Sequence, residues 1–116
     1  MKSEDHLRKA RRLEASAGKL ISSSGDDSEL ACEGFYGAAQ HFLSHGLERR
    51  LGRHIDTHEG MSRLLRRNDF NEIAVAFDRL DIIRHGQWYG RKGNGDVAKG
   101  ASALVSRIRR WAVEEG

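Results

Sequence analysis

The sequence predicts an all-α protein: an antiparallel four-helix up-and-down bundle with one short extra helix, in a single domain over residues 1–116. Three observations lead there. Apolar residues recur at steps of three and four in nearly every segment, the spacing that gathers them on one face of a helix. No segment alternates convincingly at a period of two, as a half-buried strand does. Proline is absent, so no helix is interrupted from inside and each limit must come from caps and glycines. A chain of 116 residues buries roughly two thirds of its unfolded surface, enough for one core without a staple.

The first predicted helix opens at Ser3, an expected cap, with Glu4 and Asp5 suited to the exposed amides of the first turn. Leu7, Ala10, Leu13, Ala17, Leu20 and Ile21 form its apolar stripe, and Ser22-Ser23-Ser24-Gly25 ends it. The second begins at Asp26 or Asp27, with Glu29 placed as in a capping box. Its apolar residues form two lines, Ala31, Phe35, Ala38 and Phe42, and Tyr36, Ala39, Leu43 and Leu47. A helix apolar on two sides is buried on two sides, which makes this one central. Gly34, Gly37 and Gly46 each cost roughly 1 kcal/mol relative to alanine inside a helix. Close approach of a neighbouring helix or of a second subunit accounts for their use.

Asp56 or Thr57 caps a short third helix with Met61, Leu64 and Leu65, and Asn68-Asp69 breaks the chain again. A helix from about Asn71 carries Ile73, Ala76, Phe77, Leu80, Ile83 and Gln87 near one face. Gly90-Arg91-Lys92-Gly93-Asn94-Gly95 reads as a surface loop; no strand precedes it and the Gly-Lys-Ser/Thr ending of a P-loop is missing. Asp96 then caps a last helix in which Val97, Ala101, Leu104, Ile108 and Trp111 step by four, three, four and three.

Twenty Lys and Arg against 17 Asp and Glu give a net charge of +3, with arginines clustered at Arg8 to Arg12, Arg49-Arg50, Arg66-Arg67 and Arg107 to Arg110. Such a surplus is compatible with nucleic acid or nucleotide partners, although most of these side chains read as solvated helix faces. Cys32 is the only cysteine, which excludes an intrachain disulfide and suits a reducing compartment. The N-terminus lacks the apolar core of a signal peptide, and no run approaches the ~20 apolar residues that span a bilayer. A cytoplasmic protein without membrane contact is expected.

Chemistry concentrates between Arg79 and Tyr89. There Arg79, Asp81, Arg84, His85, Trp88 and Tyr89 are interleaved with apolar helix residues. Helical spacing sets Arg84 near Trp88, His85 near Tyr89 and Asp81 near His85. Arg79 and His85, six positions apart, point about 240 degrees away from each other around a straight helix. His41 and His45 are four apart, as are His54 and His58, but neither pair has the Glu-x-x-His or cysteine set of a metal site, and no metal or cofactor is expected. Cys32, with no base beside it in sequence, reads as a small core residue.

Three segments occur in an order that resembles one family. Gly34-Phe35-Tyr36-Gly37-Ala38-Ala39-Gln40-His41-Phe42-Leu43 is similar to the Ala-Tyr-Tyr-Ala…His-Ala-Ala stretch of the HEPN domain, named for higher eukaryotes and prokaryotes nucleotide-binding. Thr57-His58-Glu59-Gly60 resembles its Thr-His-Lys-Gly segment, and Leu80 to Tyr89 its Leu-x-x-x-Arg-x-x-x-x-Tyr helix end. The resemblance runs from about Ser3 to Glu114. It implies a bundle that pairs into a homodimer, often one half of a toxin–antitoxin pair beside a minimal nucleotidyltransferase. It also implies, for other members, a metal-independent ribonuclease whose Arg-x4-6-His motifs meet at the dimer interface.

Two alignments of that motif compete. One takes Arg79 and His85 literally; the other sets Arg84 at the family arginine, with His85 where nuclease members have asparagine and Tyr89 at or next to the expected histidine. The second fits the family frame better. It makes Arg84, His85 and Tyr89 the candidate catalytic residues, and Arg79, Arg84, Trp88, Tyr89, Arg91 and Lys92 the candidate nucleotide- or RNA-binding set. The expected function is nucleotide or RNA binding in a toxin–antitoxin system, with cleavage of single-stranded RNA as the alternative.

Overall fold

A computed structural model of the chain describes residues 2–21, 25–53, 60–88 and 95–115, and of residues 25, 26, 87, 88, 95 and 96 the backbone alone. The protein is all-α. Helix α1 spans Ser3–Gly18, α2 Gly25–Leu51, α3 Met61–Arg67, α4 Asn71–Trp88 and α5 Gly95–Arg109, and α5 runs on into a π-helical turn, Arg110–Glu114. Among the described residues there is no strand, and no helix is long and apolar enough to cross a membrane.

Helix α2 is the central element, as its two apolar lines require. Ala31, Phe35, Ala38 and Phe42 on one line, and Ala39, Leu43 and Leu47 on the other, are all buried, while Tyr36 is half-buried. The helix packs against α1, α4 and α5. Its pairing with α1 is antiparallel, since Ser3 meets His45, His6 meets His41, and Ala17 meets Gly34. Its pairing with α4 is antiparallel too, with Phe77 against Tyr36 and Arg84 against Glu33. One contiguous core results, completed by Leu65, Leu80, Val105, Ile108 and Trp111.

Close approach explains the glycines of α2. A methyl group on Gly34 would lie 3.0 Å from Ala17 Cβ, and one on Gly37 3.4 Å from Leu13 Cδ1, so α1 rests directly on this part of the α2 backbone. Near the other end of α2 the neighbour is the indole of Trp111, seated over Gly46.

The ends of the helices depart from the expected caps. Lys2, not Ser3, is the N-cap of α1, and it makes no side-chain cap bond. Ser3 Oγ is instead 2.7 Å from His45 Nδ1, because a tertiary partner competes for the hydroxyl. Helix α2 starts at Gly25, ahead of the expected Asp26 or Asp27, and α5 at Gly95, ahead of the expected cap at Asp96. The caps proposed at Asp56 or Thr57 lie outside the described residues; α3 begins after Gly60, which adopts φ 76°. Asp69, also left-handed at φ 66°, closes α3. Phe70 N donates to Leu65 O at 2.9 Å and Asp69 N to Arg66 O at 3.1 Å, the paired bonds of a Schellman motif.

The final π turn carries no sequence signal that apolar spacing would reveal. Its carbonyls, and that of Glu115 which follows it, are held by α2: Arg49 Nε donates to Ala112 O at 3.1 Å, and Arg50 Nη2 to Glu115 O at 3.0 Å. These arginines supply the donors that the last carbonyls of a helix lack within it. Arg50 also lies over the Trp111 ring, 4.1 Å from its centroid, and Phe70 meets that indole edge-on. Two of the clustered arginines are thus structural, and so is Arg109, which pairs with Glu14 of α1 at 2.5 Å.

Candidate functional site

The stretch from Arg79 to Trp88 forms the C-terminal half of α4. Leu80 is buried there and Ile83 packs against the core, which fixes the rotation of the helix and turns Arg84 toward α2. Its guanidinium carbon lies 4.4 Å from the centroid of the Tyr36 ring, close enough for a cation–π contact. That ring also stacks on Phe77, with centroids 5.2 Å apart and planes 19° from parallel. Phe77, Tyr36 and Arg84 therefore form one cluster of ring and cation contacts that joins α2 to α4.

Two carboxylates attend Arg84. Nε lies 3.3 Å and 3.2 Å from the two oxygens of Glu33, and Nη1 lies 3.8 Å from Asp81 Oδ1. One guanidinium thus faces two acids. Burial raises the Tyr36 phenol above its ordinary range, and the charge of Asp81 adds to this while Arg84 opposes it, so the hydroxyl stays protonated at neutral pH.

His85 sits beside this cluster with its side chain half exposed. Its Nδ1 is 2.9 Å from the backbone carbonyl of Asp81 and 3.5 Å from the Asp81 carboxylate. A carbonyl only accepts, so Nδ1 carries the proton and donates. In the neutral ring the basic nitrogen is then Nε2, the one turned away from the helix backbone. That is the arrangement of a base oriented by its own helix.

Of the other candidates, Arg79 is exposed on a different side of α4. It lines a groove between α4 and α5 with Glu72, Val75, Ala76, Leu104 and Arg107, so the literal Arg79–His85 motif is not brought together. Trp88 closes α4 by its backbone. Tyr89, Arg91 and Lys92 lie outside the described residues, as does the Thr57-His58-Glu59 segment.

Sequence reasoning missed Glu33 as a partner of Arg84. It also missed a buried polar cluster between α1 and α2. His6, His41 and Glu48 are 4%, 9% and 8% exposed. His6 Nδ1 is 2.8 Å from His41 Nδ1, and His6 Nε2 is 3.8 Å from Glu48 Oε1. The carboxylate favours a proton on His6 Nε2, which leaves His6 Nδ1 to accept from His41 Nδ1–H. A signal existed: His6 is in phase with Ala10, Leu13 and Ala17, and His41, Ser44 and Glu48 share one face of α2. His41 and His45 turn to different partners, His6 and Ser3. Among the described residues no three of His, Cys, Asp and Glu converge as metal ligands.

Cys32 is buried among core residues. Burial, with the charges of Glu33 and Glu29 adding, pushes its thiol up to about 11, which makes it unreactive at neutral pH. No model of a known protein family matches the chain, and no curated protein or solved structure matches it.

Proposed function

We propose that the protein is a HEPN-like module that binds nucleotide or RNA phosphates at Arg84 and works as a cytoplasmic homodimer, one component of a toxin–antitoxin system beside a minimal nucleotidyltransferase. The observation that supports this best is the contact between Tyr36 and Arg84. These residues belong to two of the three segments that resemble the family, and in an all-α chain they meet across α2 and α4. Arg84 is the phosphate ligand in this reading, because its planar fork suits oxyanions and the Tyr36 ring fixes its plane. Trp88, Tyr89, Arg91 and Lys92 follow Arg84 directly in the chain and extend the same basic, aromatic run.

Fluorescence anisotropy with labelled single-stranded RNA and with a labelled nucleotide tests the assignment. Arg84→Ala is expected to weaken binding about tenfold or more; unchanged affinity would make Arg84 the wrong residue. Light scattering tests the pairing, and a monomer at all concentrations removes it. Purification with the product of the adjacent gene tests the nucleotidyltransferase partnership.

The tautomer of His85 favours a second reading, a metal-independent ribonuclease. There His85 Nε2 takes the proton of the ribose 2′-hydroxyl as that oxygen attacks phosphorus to form a 2′,3′-cyclic phosphate, the bond to the 5′-oxygen breaks and that oxygen takes a proton from water, and Arg84 stabilises charge on the phosphoryl group. Cleavage of single-stranded RNA in the presence of a chelator, lost in both Arg84→Ala and His85→Ala, is the expected result. Cleavage that survives either substitution sinks this assignment of roles.

A further inference from the structure

We infer that Glu33 is an internal counter-ion of the proposed phosphate site, and that ligand binding exchanges its carboxylate for a phosphate oxyanion on the Nε edge of Arg84. The inference rests on the phosphate-binding reading of Arg84 given above. Geometry limits how a ligand can approach. One face of the guanidinium lies over Tyr36, so an anion gains hydrogen bonds only along an edge of the fork. Glu33 already spans the Nε position with both oxygens, at 3.3 Å and 3.2 Å, while Asp81 flanks Nη1 at 3.8 Å.

The pair is held weakly enough to open. The Arg84 and Glu33 side chains are 34% and 42% exposed, so water screens their attraction and competes for both groups. Displacing Glu33 leaves its charge close to the incoming anion, and this sets a threshold. A ligand with one carboxylate gains nothing, because it replaces an equivalent group that is already tethered. A phosphodiester chain or a triphosphate brings several charges and acceptor oxygens, and overcomes the repulsion. Glu33 is therefore a specificity-determining residue that selects polyanionic phosphates over single carboxylates.

The full chain is titrated against two probes, a fluorescein-labelled single-stranded oligouridylate and a fluorescent ATP analogue. Glu33→Gln keeps the size and helix propensity and removes the charge; it is expected to bind about three- to tenfold more tightly than the wild type. Glu33→Ala should move the same way. Combining Glu33→Gln with Arg84→Ala should erase the gain, and Glu29→Gln, which removes the same charge one turn earlier in α2, should leave affinity unchanged. If the wild type binds and Glu33→Gln binds no tighter, the exchange is wrong while the phosphate reading stands. The exchange is equally wrong if the gain survives Arg84→Ala or if Glu29→Gln reproduces it. If neither the wild type nor Glu33→Gln binds either probe, the phosphate reading fails and this inference with it. The probe that shows the gain identifies the source of the phosphate.

Discussion

Trp111 lies against Gly46 so closely that a methyl group on the glycine would sit 2.9 Å from Cη2 of the indole, closer still to Cζ3, and 3.0 Å from Ala112 Cα. The ring cannot retreat, because Phe70 meets it edge-on and Arg50 covers its face. Alanine at position 46 gains helix propensity of up to about 1 kcal/mol, but the overpacking outweighs it. Gly46→Ala is expected to destabilise the protein by about 1–3 kcal/mol in urea denaturation. An unchanged midpoint would mean that the last turn of the chain yields freely.

His6→Leu removes the middle member of the buried polar cluster. His41 then loses a hydrogen bond at 2.8 Å, and Glu48 loses the imidazole nitrogen 3.8 Å from its carboxylate. A loss of about 1–3 kcal/mol is expected, the usual cost of depriving buried polar groups of a partner. A variant as stable as the wild type in chemical denaturation would show that the cluster rearranges without cost.

Asp69 offers a change in the opposite direction. It holds φ 66° at the end of α3, a conformation that glycine adopts without a Cβ penalty. Asp69→Gly is expected to raise stability by up to about 1 kcal/mol, with the gain in the folded state partly offset by a more flexible unfolded chain. A lower melting temperature would show that the aspartate side chain itself contributes.

Cys32 and Tyr36 give alkaline pH a defined sign. Each has a raised folded-state pKa, so each proton is held more tightly in the folded chain and the associated stability is complete below the unfolded value. For Cys32 that stability is lost as pH rises from its ordinary 9.0 toward about 11, and Tyr36 adds a decline of the same sign beginning near 10.0. Cys32→Ala and Tyr36→Phe should each flatten the alkaline side of the stability curve. A thiol reagent should leave Cys32 untouched in the folded protein at neutral pH; prompt reaction there would contradict its burial.

The helices were legible because their apolar positions repeat every three or four residues, and the packing of α2 on three neighbours followed from its two apolar lines. Arg84 was legible as a cation beside an aromatic run near a helix end. Glu33 was not, since its partner lies 51 residues away and a glutamate in a helix reads as solvated until a tertiary fold supplies a cation. Arg49 and Arg50 were obscured in the same way: an arginine pair carries the same charge whether it faces RNA or the carbonyls of a terminal turn. His6 could have been found, because it interrupts a stripe of apolar residues in phase. Counting only apolar residues passes over it.

The clasp between α2 and the final turn also orders events in time. Arg49 and Ala112 are 63 residues apart, whereas Ser3 and His45 are 42 apart. On a ribosome the α1–α2 hairpin has its own partners as soon as Leu51 has emerged, but the groove over Gly46 stays uncovered until Trp111 has been made. Contacts between distant parts of a chain close late, and surface left open in the meantime is where nascent chains associate wrongly. The clasp over Gly46 therefore closes after the α1–α2 hairpin, and the Gly46 face of α2 is the surface left open in the interval.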